Sequence, residues 1–264
     1  MGLSDSLIDA FTVKRFSGNP AVVFLLPTAR DTEWMQAVAL EMNQPETAFL
    51  VETEDGYHLR WFTPAVEIDL AGHPTLASAH WMWESGRLQP NQPVRFHTRS
   101  GLLIAKRHDD WIRLDFPATP AKAIAELDGI ADALGTPVIW TGKSPFDLLV
   151  EVESEDQLRS IEPDLLALSK VPVRGTIVTA RASTEPYDFV SRFFAPQSGI
   201  NEDPVTGSAH CCLAPYWAEK LGKKNLLAYQ ASPRGGVLGL EVAETRVTLE
   251  GQAVTVATGD LLAG

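Results

Sequence analysis

The sequence predicts an α+β fold of two pseudo-symmetric halves, each a curled, mostly antiparallel sheet around a central helix. The first observation behind this is an internal repeat. "RWFTPAVEIDLAGHPTLASAHWMWE" at 60–84 and "RFFAPQSGINEDPVTGSAHCCLAPYWAE" at 192–219 both run from Arg-aromatic-Phe-x-Pro through acids to a glycine, small residues, Trp and Glu. The second is that the match continues in order. "RFHTRSGLLI" at 95–104 resembles "AYQASPRGGVLGL" at 228–240, and "WIRLDFP" at 111–117 resembles "RVTLEGQ" at 246–252. The third is that strands follow one another through short turns, which favours antiparallel pairing over a βαβ series. A repeat of this length reads as a duplicated domain, not a solenoid unit. The expected halves are 1–118 and 119–264.

Taken in order, "SLIDAFTV" and "PAVVFLL" are β-rich, with Ser17-Gly18-Asn19-Pro20 as the turn between them. Residues 31–43 start on acids and space Trp34, Val38 and Met42 as a helix does. "ETAFLVE" and "YHLRWFT" read as strands. "PTLASAHWMWE" opens on Pro74, which suits the first turn of a helix. The second half is expected to hold helices near 122–134, 155–168 and 208–221. Its strands are expected near 137–141, 147–152, 175–180 and 187–195.

Composition removes several function classes. The 264-residue chain is 45% hydrophobic and carries a net charge of −12. A surface of that sign repels phosphate backbones, and there is no basic stripe with interleaved aromatics, so nucleic acid is not an expected partner. No apolar run reaches the roughly 18–20 residues of a membrane span. The first residues lack a charged-then-apolar signal pattern. "MGLSDS" fits a myristoylation pattern formally, but the apolar segment after it reads as a first strand. Two adjacent cysteines, Cys211 and Cys212, form neither a disulfide framework nor a metal spacing. A reducing, cytoplasmic setting is the expectation, and no metal is expected.

Two helix starts stand out. GHPTLASAH at 72–80 and GSAHCCLA at 207–214 are small on several sides, which suits a helix buried inside a curved sheet. A helix start has unpartnered N–H groups and a partial positive charge, and glycine lets a ligand approach that backbone. Two such starts facing one another across a cleft would hold a carboxylate. That local field acts where distant charge is screened beyond about 8–10 Å. Ordinary capping by His73, Asp203 or Ser208 is the competing reading, and Asp203-Pro204 would then start the second helix earlier.

Acid–base candidates near these starts are Asp69, His73, Glu202 and Asp203. Glu46 is a further one. It follows a helix-ending loop and opens an apolar strand, where desolvation would raise a carboxyl pKa to useful values. The matching stretch of the second half, "PVRGTIVTA", has Gly175 near that position. An acid on one side only is what one-base chemistry needs; an exposed strand-end glutamate is the plainer alternative.

Together "IDAFTVKRFSGNPAVVFLL", "NQPETAFLV", "DLAGHPTLASAH" and "EDPVTGSAH" resemble the PhzF-like family of phenazine biosynthesis over essentially the whole chain. The resemblance implies the diaminopimelate-epimerase-like fold, with the active site between two similar halves. It implies a cofactor-independent, biosynthetic isomerase similar to trans-2,3-dihydro-3-hydroxyanthranilate isomerase, acting on a small carboxylate-bearing substrate. In that reading Glu46 is the general acid/base, His73 and Asp203 assist catalysis, and Gly72, Gly207 and Ser208 bind substrate. A homodimer is implied too. The related epimerases and racemases carry a cysteine before each helix glycine, where this chain has Ala71 and Thr206. An epimerase or racemase of an amino-acid-like substrate, and a non-catalytic binding member of the fold, are the rival readings.

Overall fold

Neighbouring parallel strands need a crossover between them, and that requirement organises each half of the computed structural model, which describes residues 2–262. The first unit contains β1 (Leu3–Ala10), β2 (Asn19–Leu26), α1 (Thr32–Met42), β3 (Glu46–Thr53), β4 (Gly56–Phe62), β5 (Glu67–Ile68), α2 (His73–Glu84), β6 (Val94–Thr98), β7 (Gly101–His108) and β8 (Trp111–Pro117). β2 and β3 run parallel, joined through α1; β4 and β6 run parallel, joined through α2. The pairs β1–β2, β3–β4, β6–β7 and β7–β8 are antiparallel. α1 lies on one sheet face, where Met35 and Val38 pack with Phe24, Phe49 and Phe62.

The second unit repeats the plan. It contains β9 (Lys122–Ala123), α3 (Ile130–Leu134), β10 (Trp140–Lys143), β11 (Leu148–Glu151), α4 (Glu155–Ser160), α5 (Leu165–Leu168), β12 (Thr176–Arg181), β13 (Phe189–Phe194), α6 (Gly207–Leu221), β14 (Asn225–Gln230), β15 (Gly236–Val242) and β16 (Arg246–Gly251). β11 and β12 are parallel with α4 and α5 between them; β13 and β14 are parallel with α6 between them. The pairs β9–β10, β10–β11, β12–β13 and β14–β15 are antiparallel.

The last strand, β17 (Ala253–Leu261), pairs antiparallel with all of β1. Residues from Glu250 onward therefore group with those up to Asp115, and Phe116–Leu249 form the other unit. The sequence reading divided the chain once, at 118; in the fold a long-range strand pairing returns the last strand to the first unit. In the first unit α2 touches β17, β1, β2, β3 and β7, strands from nearly the whole width of the sheet, so the sheet curls around it. Ten of its twelve residues are buried, which is why its small side chains show no polar stripe.

Two expected helices are shorter than their sequence pattern. The 122–134 segment is helical only over Ile130–Leu134, since Lys122 and Ala123 pair with β10 and Gly129 takes a left-handed φ of 80°. The 155–168 segment splits into α4 and α5 because Pro163 disfavours helix at the residue before it. Asp164 then caps α5 by accepting from Ala167 N–H. Pro215 inside α6 cannot donate to the Cys211 carbonyl, and that carbonyl accepts from Thr119 N–H at 3.0 Å instead. Among the described residues no helix is long and apolar enough to cross a membrane.

Candidate active site

In the first unit the site begins where α1 ends. Asn43 adopts the left-handed conformation, φ 48°, and its N–H bonds back to Ala39 O, closing the helix. Pro45 forbids a further turn, and Glu46 opens β3 beside Ala21 of β2. Strand alternation separates Glu46, Ala48 and Leu50 from Phe49, which packs under α1. The face bearing Glu46 meets the start of α2. There the His73 Nδ1 lies 3.2 Å from Glu46 Oε2, with the two side chains 6% and 16% exposed.

Burial holds the His73 pKa down at about 3, against a hydrogen bond to the Pro20 carbonyl that favours the charged ring. The imidazole is therefore neutral at neutral pH, and Nε2 has no hydrogen-bond partner among the described residues. Gly72 gives α2 no side-chain cap, and Pro74 in the first turn has no N–H to offer. Thr75 Oγ1 donates back to Ala71 O at 2.6 Å.

The second unit builds its helix start differently. α6 begins at Gly207 with Thr206 as N-cap and no side-chain cap bond. The earlier start at Asp203-Pro204 does not form. Thr206 Oγ1 instead donates to Asp203 Oδ2 at 2.5 Å, and Asp203 N–H donates to Phe193 O. Gln230, fully buried, locks this turn. Its Nε2 donates to Asp203 O at 2.7 Å and its Oε1 accepts from Thr206 N–H at 2.8 Å. Ser208 does not cap the helix; it accepts from Arg174 Nη2 at 3.0 Å. Arg174 also grips the buried Asp147 through two bonds of 2.9 and 2.6 Å. His210 Nδ1 bonds to Thr206 O at 2.8 Å, and burial lowers its pKa to about 4.

Strand register makes the two halves comparable. Phe49 faces Arg60, and Val178 faces Arg192, so Glu46 and Gly175, each three residues earlier, hold equivalent places. A Cβ at Gly175 would lie 2.2 Å from Phe193 Cζ, so the Phe193 ring would have to shift to admit a side chain there.

The geometry brings Glu46, Gly72 and His73 together in one unit, and Asp203, Gly207 and Ser208 together in the other. Two sequence candidates go elsewhere. Glu202 is held by Arg192 through bonds of 2.7 and 2.9 Å, as Glu67 is held by Arg60. Asp69 is exposed beside Arg99. Both halves thus keep a buttressing Arg–Glu pair below the helix loop. The cysteines are buried and not disulfide-bonded, and Cys212 is pushed up to about 12 by burial first and by the charge of Asp147 next. Sequence reading missed Gln230, Arg174 and Asp147; "PVRGTIVTA" drew attention to its glycine, while its arginine was the chemical group.

Residues 8–259 match the model of a family described as phenazine biosynthesis-like protein. The chain is 51% identical over 257 residues to an uncharacterized isomerase of Halalkalibacterium halodurans, covering 97% of each. It superposes on the crystal structure of a PhzF-family phenazine biosynthesis protein of Enterococcus faecalis with a TM-score of 0.95 and 40% identity, covering all of both chains. A hydroxyproline epimerase of Agrobacterium vitis, at 11% identity and a TM-score of 0.64 over 98% of this chain and 92% of its own, shares the fold alone.

Proposed function

This chain belongs to the phenazine biosynthesis-like protein family, and we propose that it is an isomerase in which Glu46 moves a proton within a small carboxylate-bearing substrate. The observation that carries the reading is the pair formed by Glu46 and the buried, neutral His73, with a glycine at the equivalent place in the other half. Glu46 takes a proton from a carbon activated by an adjacent carboxylate or unsaturated group. The electron pair moves into the conjugated system, and Glu46 returns the proton to a different carbon. The product differs from the substrate by the position of a double bond. One carboxyl group serves both steps, acting as base and then as acid.

His73 supports this by staying uncharged. A neutral imidazole next to Glu46 can accept or donate a hydrogen bond without removing the proton that Glu46 must carry. The uncapped start of α2 at Gly72 supplies backbone N–H and the positive end of the helix dipole to a substrate oxygen. The resemblance gives Gly207 and Ser208 a substrate-binding role and Asp203 a catalytic one, and the start of α6, also without a side-chain cap, carries the same kind of backbone N–H groups and dipole end. The epimerase alternative calls for a second base, and Ala71 and Thr206 stand where thiols would be needed.

The test is deuterium uptake. Candidate unsaturated carboxylates are incubated with the protein in deuterated water and followed by NMR, beside Glu46→Gln. The expected result is exchange at carbon that the variant loses. Inversion at the exchanging carbon would favour the epimerase. Binding without exchange by the unmodified protein would remove the catalytic reading.

A further inference from the structure

Arg174 stands where the first half has Pro45, one residue before the equivalent Glu46 and Gly175 positions, and proton transfer at Glu46 gives it no part. Its guanidinium is fixed at its edge and on its faces. Nε and Nη2 donate to the two oxygens of the buried Asp147 at 2.9 and 2.6 Å. The ring centres of Phe146 and Phe193 lie 5.4 and 5.7 Å from Cζ. Nη2 also donates to Ser208 Oγ at 3.0 Å. Both hydrogens of Nη2 are therefore engaged, one by the carboxylate and one by the hydroxyl. Asp147 balances the positive charge, so what Arg174 brings to the start of α6 is direction and not net charge.

The hydroxyl it meets is left with one role. Ser208 Oγ accepts from the guanidinium, and its O–H has no acceptor among the described residues. The usual inward acceptor for a helical hydroxyl is the carbonyl four residues back. In α2, Thr75 and Ser78 donate to Ala71 O and Pro74 O in this way, at 2.6 and 2.7 Å. Four residues before Ser208 stands Pro204, which lies outside α6 and whose carbonyl accepts from Ser232 Oγ at 2.7 Å. The half-buried Ser208 thus keeps its O–H for whatever meets the helix start, beside first-turn N–H groups that have no intrahelical partner. A cation donating into Oγ polarises that O–H and makes it a better donor.

We propose that Arg174 is a positioning residue that makes Ser208 a dedicated donor, so that the start of α6 takes an ionised carboxylate of the substrate and discriminates against ammonium groups. This rests on the substrate-binding role given to Gly207 and Ser208 above. Asp147 sets the plane of the guanidinium fork, the fork sets the Ser208 proton, and the proton meets the carboxylate. A lysine carries the same charge but has no planar fork to hold both partners.

Calorimetry with benzoate as probe, and benzylammonium as its donor-only counterpart, tests this. Benzoate should bind saturably with Kd below about 10 mM, and at least about tenfold more tightly than benzylammonium. Ser208→Ala should weaken benzoate about tenfold. Arg174→Gln should do the same, and the double variant should be no weaker than either single one, because Arg174 acts through Ser208. Arg174→Lys should leave benzoate weakened by about fivefold or more. If Arg174→Gln does not fold with Asp147 left buried and unpaired, Arg174→Gln combined with Asp147→Asn removes both charges and carries the same expectation. Absence of saturable benzoate binding, unchanged affinity in Ser208→Ala, additive losses in the double variant, or full affinity in Arg174→Lys would overturn the proposal. Deuterium uptake is read independently. Benzoate behaving as expected, with no exchange at carbon in any candidate substrate, would remove the isomerase and leave the carboxylate site standing.

Discussion

At the mouth of α2 a carboxyl group stands 3.2 Å from a buried imidazole; at the mouth of α6 the matching strand position is Gly175, and the matching helix residue, Ser208, takes a hydrogen bond from Arg174. The backbone is the same in both places: a parallel strand pair, a glycine-led helix without a side-chain cap, and an Arg–Glu pair bracing the loop. The difference lies in what the strand end offers. One side presents a group that can carry a proton. The other presents a guanidinium already committed to Asp147, which cannot give up a proton at any ordinary pH. The two halves thus hold two equivalent strand positions, and only one of them carries a carboxyl group.

The largest expected effect comes from breaking the first side. His73→Asn keeps a polar group at the start of α2 but removes the neutral imidazole beside Glu46. Proton exchange into substrate should fall by about 100-fold or more. An exchange rate within about twofold of the unmodified protein would separate His73 from the chemistry.

Next in size is acid sensitivity, which the two halves share. His73 and His210 titrate at about 3 and about 4 in the native protein, both chiefly because burial disfavours the charged ring. Their ordinary value is 6.5. Below that pH the unfolded chain takes up protons that the native one does not. Stability is therefore complete above about pH 6.5 and falls towards pH 4, by about 1.4 kcal/mol per pH unit for each histidine. Urea denaturation across this range should show the slope, and His210→Asn should remove about half of it. A slope unchanged by that variant would contradict the burial argument.

A third change tries to restore symmetry. Gly175→Ala places a methyl group against the Phe193 ring, and overpacking should cost about 1–3 kcal/mol. Phe193→Leu in the same chain should recover part of it, read as the denaturation midpoint. The smallest effect is expected at Ser208. Replacing it with alanine removes one partly exposed hydrogen bond to Arg174 and should lower stability by about 0.5–1 kcal/mol. If Ser208 also holds substrate, KM rises while kcat stays near its original value.

The amino-acid pattern alone established the duplicated α+β plan, most strand positions, the two glycine-led helices and the one-sided Glu46. Each of these is written in neighbouring residues or in two similar windows, so local periodicity and self-comparison suffice. Only the folded chain decided the rest. β17 joined the first half because its partner β1 lies at the other end of the sequence. Arg174 met Asp147, 27 residues away, and so became the occupant of the second helix start. Pro163 split a helix that periodicity had drawn as continuous. His73 became neutral because burial depends on every strand that closes over it. Burial, register and side-chain volume are properties of the whole packed sheet, and no short window of sequence contains them.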